Sequence, residues 1–516
     1  MTTTIHALDA VIVVVYLMAL AAIGMYFSRR QHGFDDFFRA RHSMAWLPVG
    51  LSLMAALNSG IDYLMQPAST IRYGVILLTG TVSWLFLYPW VSRIVLPFYR
   101  RLNVYTAYEF LEARFDVRVR TLAATIFIVW RLGWMATAMY VPCLAIDAAT
   151  NGAVPLTPTI LVLGILVTAY TMLGGIQAVI WNDVMQFCIM FGGLAATVWI
   201  ALTNVPGGVA EIVTAAQQAG KTSFAAPLGI AAGASLFDRV AAFFMQPINA
   251  PAILIAITVG RIAGYTTDQV MVQRFQTTRS LNDSRRAFIV NAAGDALWMF
   301  GLSCVGLALL AYFLHHPLPE QFSSDKILPY FMSLAFPPGA VGLVIAAILA
   351  ASLSSIDSAV NSCTSVVVVD FYHRLVRGRQ SDTLDTNVDP AAQLRVSRIA
   401  TGAFGVAGTI LAANVSRIGT LLEIANKLIN AFTGPLLGIY LLAMFSRRVT
   451  SGPALVAGIV GTMTSYYVAY QTRIGFMWPS TFGLVATLAA GYGLALVLRT
   501  SASEAARRLT WWSVVS

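Results

Sequence analysis

The chain has 516 residues, of which 58% are apolar and only 11% charged, with a formal net charge of +10 and a mean hydropathy of +0.72. A soluble domain carries about a quarter charged residues, whereas here long apolar runs recur from Leu8 to Leu498, each able to cross a ~30 Å hydrocarbon core. The composition is that of a polytopic membrane protein, and it excludes a cytosolic enzyme, a nucleic-acid binder, a secreted disulfide scaffold and a disordered tail.

The first run, Leu8 to Phe27, has no basic residues before it and no small-residue cleavage pattern after it, so it reads as a retained helix. Cutting at polar, Gly-rich and Pro-rich breaks gives thirteen candidate spans: 8–28, 44–72, 76–99, 119–147, 157–173, 176–203, 250–268, 287–314, 340–369, 399–414, 419–445, 453–470 and 480–498. Alternate loops (29–41, 100–120, 274–286, 374–398, 447–448 and 499–508) hold 23 of the 33 basic residues, and the opposite set holds only Arg72, Lys221, Lys326, Arg417 and Arg473. Lys and Arg collect on the cytoplasmic side, which predicts the N-terminus outside, the C-terminus inside and an odd number of spans. Arg93, Arg131, Arg239, Arg261 and Lys427 fall outside this sorting. The longest polar stretches, 204–238 and 371–398, are too short to build a soluble domain.

The second span carries Asn58-Ser59-Gly60-Ile61-Asp62 in the middle of an apolar helix. Asn, Ser and Gly propagate helices poorly, and a lipid-facing Asp is costly, so a helix break is expected there. The seventh span closes on Gly260-Arg261-Ile262-Ala263-Gly264-Tyr265-Thr266-Thr267-Asp268-Gln269, which predicts a partner break. With the first helix set outside the core, these are core helices one and six. Interrupted helices at matching places in two halves point to a transport site at mid-membrane; close helix packing is the alternative for either glycine alone.

In the ninth span Ala351, Ser354, Ser355 and Ser358 share one helix face, with Asp357 beside it. Together with unwound carbonyls near Ala55 and Asn58 they form a hard-oxygen set suited to an alkali cation rather than a transition metal. The serines could instead bond to their own helix backbone. Asp183 is a second acid in an apolar run, either a buried ligand or a solvated interfacial group. The four cysteines (Cys143, Cys188, Cys304, Cys363) are expected to be free and buried, and the six histidines to lie at termini or in loops.

The stretches Gly174 to Gln186, Asp268-Gln269-Val270-Met271-Val272-Gln273-Arg274 and Ala351 to Ser358 resemble, in the right order, the signatures of the sodium/solute symporter family. The resemblance implies an all-α membrane protein with a LeuT-type five-plus-five inverted repeat and one extra helix in front. Its parts would be 1–43 (extra helix and loop), 44–203 (first repeat), 204–249 (external loop), 250–446 (second repeat) and 447–516 (two further helices and a tail). It implies a main sodium site at the carbonyls of Ala55, Asn58 and Ala351 and the hydroxyls of Ser354 and Ser355. A second sodium site would comprise Asp183, Ser354, Ser358 and Asp357, the last at a position often Ser or Thr in the family, where it would either tighten the site or bind a proton. Solute contacts would be Ser59, Asp62, Thr81, Arg131, Trp134, Arg261 and Tyr265.

Guanidinium binds carboxylate bidentately, so Arg131 and Arg261 favour an organic acid, acidic sugar or amino acid. The acidic-sugar carriers of the family place an arginine on core helix three, where this chain has Trp134 with Arg131 one turn away. If Asp62 pairs with one arginine, no net charge is left for the solute; if both stay free, an amino or zwitterionic solute fits. Glu423 and Lys427, spaced i, i+4, read as a mutual ion pair. The expected protein is thus a monomeric, non-enzymatic, sodium-coupled importer of the bacterial inner membrane that carries one or two Na+ with its solute. A neutral-sugar symporter is the runner-up, and a transporter-like sensor or a passive channel the alternative class.

Overall fold

The computed structural model describes residues 6–28, 40–102, 104–150, 152–171, 176–225, 235–319, 322–376, 390–425 and 430–515. Regular structure among them is helical, apart from one isolated bridge between Met44 and Thr278. The principal helices are α1 (Ala7–Ser28), α2 (Trp46–Leu57), α3 (Gly60–Tyr73), α4 (Val75–Leu102), α5 (Val117–Ala149), α6 (Leu156–Thr171), α7 (Ile176–Thr203), α8 (Ala250–Thr267), α9 (Gln269–Thr277), α10 (Leu281–His315), α11 (Ala340–Val366), α12 (Pro390–Ala412), α13 (Thr433–Phe445), α14 (Ser451–Gln471) and α15 (Pro479–Val497). Eight described helices are long and apolar enough to cross a membrane on length and composition alone. Helix α11, almost wholly buried, is the central element. Even α1 is fastened to it, through the buried Asp9, which accepts from the Gly339 and Gly342 N–H groups at 2.8 and 2.7 Å.

The chain breaks between α2 and α3. Asn58 and Ser59 are extended, Ser59 Oγ accepts from the Ile61 N–H at 3.1 Å, and the Asp62 carboxylate accepts from the Ser59 N–H at 2.9 Å. This reciprocal capping box turns away the two N–H groups that a continuous helix would direct to the carbonyls of Ala55 and Leu57.

The second break falls at Asp268, not at the glycines. Helix α8 runs unbroken through Gly260 and Gly264, where an added Cβ would meet nothing within 4 Å. Asp268 is extended, and its carboxylate accepts from the Val270 N–H at 2.9 Å, so it caps a new helix. The hydroxyls of Tyr99 and Tyr108 donate to the freed carbonyls of Thr266 and Thr267 at 2.7 and 2.9 Å. The glycines thin one face of the helix, and the acid ends it.

Three cations counted among the loop charges are buried: Arg114, Arg120 and Arg274. Arg114 donates to the carbonyls of Ala443 and Ser446 at the C-terminal end of α13, which have no partner within that helix. Arg120 pairs with Asp370 and Glu112, and Arg374 joins Glu112 at 2.6 Å. Cys143 and Cys363 are buried as expected, but Cys188 is exposed and Cys304 partly so, because both lie on outward helix faces. His373 sits in a helical extension of α11, Val367–Val376, rather than in a loop. Lys427, Gly174, Gly175, Arg29, Arg30, Arg39, Arg377 and Arg379 lie outside the described residues, and with Lys427 goes the expected pair to Glu423.

Gly60 opens α3 directly against α11: a Cβ there would clash with Ser352 Oγ and come within 2.9 Å of the Ile348 carbonyl. Gly60→Val is expected to cost about 1–3 kcal/mol through overpacking, read as a lowered unfolding temperature in detergent, whereas Gly260→Ala, mid-helix and facing open space, should leave it no lower.

Candidate transport site

Residues flanking both breaks line a cavity of about 230 Å³. Its wall includes Ser59, Asp62, Thr81, Arg131, Trp134, Arg261 and Tyr265, so the seven expected solute contacts come together in one place. The charged groups do not pair as the sequence suggested. Arg131, buried and lying 4.8 and 5.3 Å over the rings of Trp130 and Trp134, grips Asp268 through Nε and Nη2. Arg261 meets Asp295 on α10 at 2.5 Å, donates to Ser83 Oγ at 3.0 Å and lies 4.3 Å over the ring of Trp84. The Trp84 indole N–H donates to the same Asp295 carboxylate at 2.7 Å. Each arginine is thus neutralised by an acid the sequence reading had not assigned to it, and Asp62 makes no ion pair among the described residues. Thr81 directs its hydroxyl to its own helix, at the Leu78 carbonyl, and Tyr265 Oη is bonded to the Asn291 amide.

Next to the α2–α3 break, α11 presents its serines. Ser355 Oγ and Ser352 Oγ are buried with no hydrogen-bond partner among the described residues. Ser354 Oγ donates to Asp183, which leaves its lone pairs available to an ion. Asp183 is fully buried, not solvated at an interface. It accepts from Ser52 at 2.5 Å and pairs with Arg274 at 2.8 Å. The Arg274 guanidinium also donates to Ser52 and Ser358 at 2.8 and 2.6 Å. A protein cation therefore already contacts two members of the expected second sodium set, Asp183 and Ser358. Asp357, buried on the adjoining face, accepts from Thr171 on α6 at 2.7 Å.

One of these partners was open to sequence reasoning. Asp295 lies in mid-run in Ala292-Ala293-Gly294-Asp295-Ala296-Leu297, the same signal that marked Asp183. Asp268 and Arg274 stand inside a quoted motif, but nothing local shows that they fold back into the protein. The neutral partners Ser52, Ser83 and Thr171 carry no signal of their own.

Two discontinuous helices around a cavity with buried charges define a secondary transporter of the membrane. The family model for the sodium:solute symporter family matches residues 37–461, and the chain belongs to that family. It is 30% identical over 484 residues to the sodium/sialic acid symporter NanT of Aliivibrio fischeri, covering 92% of this chain and 90% of that one. It is likewise 30% identical to the sodium/sialic acid symporter SiaT of Proteus mirabilis, covering 92% of each. Among solved structures, a substrate-bound, outward-open Na+-coupled sialic acid symporter superposes with a TM-score of 0.84 at 28% identity, over 97% of this chain and 99% of that one. A closed form of Mhp1, at 15% identity and a TM-score of 0.54, shares the fold. The protein is a sodium-coupled symporter, not an enzyme.

Removing one member of a buried ion pair leaves the other charge uncompensated, at about 3–5 kcal/mol. Arg274→Met and Asp183→Asn are each expected to lower stability by that order in chemical unfolding. The double variant should lose much less than the sum of the two, because they share one interaction.

Proposed function

We propose that this chain imports a small, carboxylate-bearing organic solute across the bacterial inner membrane, driven by sodium. In this reading it works as a monomer with thirteen crossings arranged as a five-plus-five inverted repeat behind one extra helix, N-terminus outside. The part boundaries near residues 43, 203, 249 and 446 belong to the same proposal.

The observation that carries the sodium site is the buried, unpartnered Ser355 hydroxyl on α11, the helix against which Gly60 at the break is packed. The ion is held by the carbonyls of Ala55, Asn58 and Ala351 and the hydroxyls of Ser354 and Ser355. Support for a single coupling ion comes from Arg274: a sodium at Asp183, Ser354, Asp357 and Ser358 has to share Asp183 and Ser358 with that guanidinium. One ion suffices energetically. A tenfold gradient supplies about 1.4 kcal/mol and 100 mV adds about 2.3 kcal/mol per charge, enough for accumulation on the order of several-hundredfold of a solute without net charge; a singly charged anion carried with one ion gains only the roughly tenfold share of the gradient.

Support for a carboxylate on the solute comes from Arg261, whose Nε–H is engaged by no described residue, and from the Trp130 and Trp134 indole N–H groups, which have no acceptor among the described residues. The likeness to sialic acid symporters points the same way, since sialic acid is an acidic sugar. Alternating access then follows from the two breaks: sodium draws the α2–α3 junction onto α11, and closing that junction alters the cavity wall at Ser59 and Asp62.

In proteoliposomes, replacing sodium by choline should abolish N-acetylneuraminate or organic-acid accumulation, and Ser355→Ala should raise the sodium concentration for half-maximal uptake about tenfold. Sodium activation should show a Hill coefficient near one. Uptake indifferent to sodium would overturn the ion site, and a coefficient near two would restore the second sodium.

A further inference from the structure

We infer that Asp62 is a specificity-determining residue that selects a solute bearing an ammonium group as well as its carboxylate, so that the solute is a zwitterion of the amino-acid type. This inference rests on the carboxylate reading above and narrows it.

The charge balance of the cavity wall carries the argument. Five charged side chains line the cavity among the described residues: Asp62, Arg131, Arg261, Asp268 and Asp295. Four of them form two closed pairs, Arg131 with Asp268 and Arg261 with Asp295. Both pairs are fixed from outside. Asp268 also caps α9 through the Val270 N–H, and Asp295 also accepts from the Trp84 indole. Neither acid can be released to a solute without undoing local structure. The wall is left with one anionic group in excess, and that group is Asp62.

An uncompensated carboxylate at membrane depth is costly, and an ammonium on the cargo is a countercharge that reaches it directly. Asp62 is built to receive it. One oxygen, Oδ2, is held by the Ser59 N–H in the capping box, which fixes the side chain on the first turn of α3. No side chain among the described residues donates to the other oxygen, and the side chain lines the cavity. An ammonium offers three N–H donors and a full positive charge, and one of those donors satisfies this oxygen. The solute carboxylate accepts a hydrogen bond from the free Nε–H of Arg261, whose charge stays paired with Asp295, so the two ends of a zwitterion each meet an open polar group of the wall. A plain organic acid satisfies Arg261 but leaves Asp62 unpaired, and a neutral sugar compensates neither. Because Asp62 also closes the capping box at the break, occupation of its free oxygen acts on the junction that holds the ion.

The test uses the purified full chain and its Asp62→Asn variant, which keeps an oxygen for the Ser59 N–H. Thermal shifts are recorded in sodium and in choline with α-amino acids, the matching 2-hydroxy acids, N-acetylneuraminate and glucose. The expected result is sodium-dependent stabilisation by one or more amino acids, with the matching 2-hydroxy acid at least about tenfold weaker. In Asp62→Asn that preference should vanish while sodium alone still raises the unfolding temperature. Wild-type binding of hydroxy acids or N-acetylneuraminate as tight as that of any amino acid overturns the inference and leaves the carboxylate reading standing. Stabilisation by glucose alone overturns both. Loss of the sodium-only shift in Asp62→Asn, with the Gly60 to Tyr73 helix intact by hydrogen exchange, overturns the inference by making sodium the countercharge.

Discussion

A hydrocarbon core contains no water, so every backbone N–H and C=O within it needs a partner in the protein. Nearly everything distinctive about this molecule follows from meeting that demand at two places where helices stop. At Asn58 and Ser59 the side chains of Ser59 and Asp62 take over the freed N–H groups, and the opposing carbonyls of Ala55 and Leu57 lose their helical donors. At Asp268 the tyrosines Tyr99 and Tyr108 cover the freed carbonyls, and the acid itself caps the next helix. The first break thus leaves acceptors uncovered, while the second is sealed. That asymmetry is the reason for proposing the cation at the first break rather than the second.

The same demand explains the charge pattern. A guanidinium inside the bilayer has to be paired, and Arg131, Arg261, Arg274, Arg114 and Arg120 are each bound to a carboxylate or to helix-end carbonyls. The aromatic rings under Arg131 and Arg261 add cation–π contact where little water competes. Among the groups left unspent near the cavity and the first break are the Ser355 hydroxyl, one oxygen of Asp62 and the Nε–H of Arg261.

Much of the architecture was legible in the sequence because it is one-dimensional information. Apolar runs long enough to span a bilayer set the helices, and the Asn58-Ser59-Gly60 insertion marked the first break within a residue. Ser59, Asp62, Arg261 and Tyr265 line the cavity because they sit near the two breaks, which the pattern located, whereas Thr81, Arg131 and Trp134 were expected from the family resemblance. What the sequence hid was pairing. Asp62 and Arg261 carry opposite charges on the wall of one cavity, yet Arg261 goes to Asp295 on another helix, and no spacing rule connects them. Arg274 looked like one more loop cation because it follows an apolar run. Only folding back along α9 brings it to Asp183. The second break falls at Asp268, inside the Gly260 to Gln269 stretch that marked it, while the two glycines beside the cavity merely make room.

The central claim is that the α2–α3 break, facing Ser354 and Ser355, binds sodium in the absence of any solute. Thermal unfolding of the purified, solute-free protein in sodium chloride, potassium chloride and choline chloride at matched ionic strength tests it most directly. A ligand that binds only the native state stabilises by RT ln(1 + [L]/Kd). The account therefore predicts a sodium-specific rise in unfolding temperature that grows with the logarithm of sodium concentration, by up to about 1.4 kcal/mol per tenfold step for one ion. Identical unfolding temperatures in the three salts would contradict it.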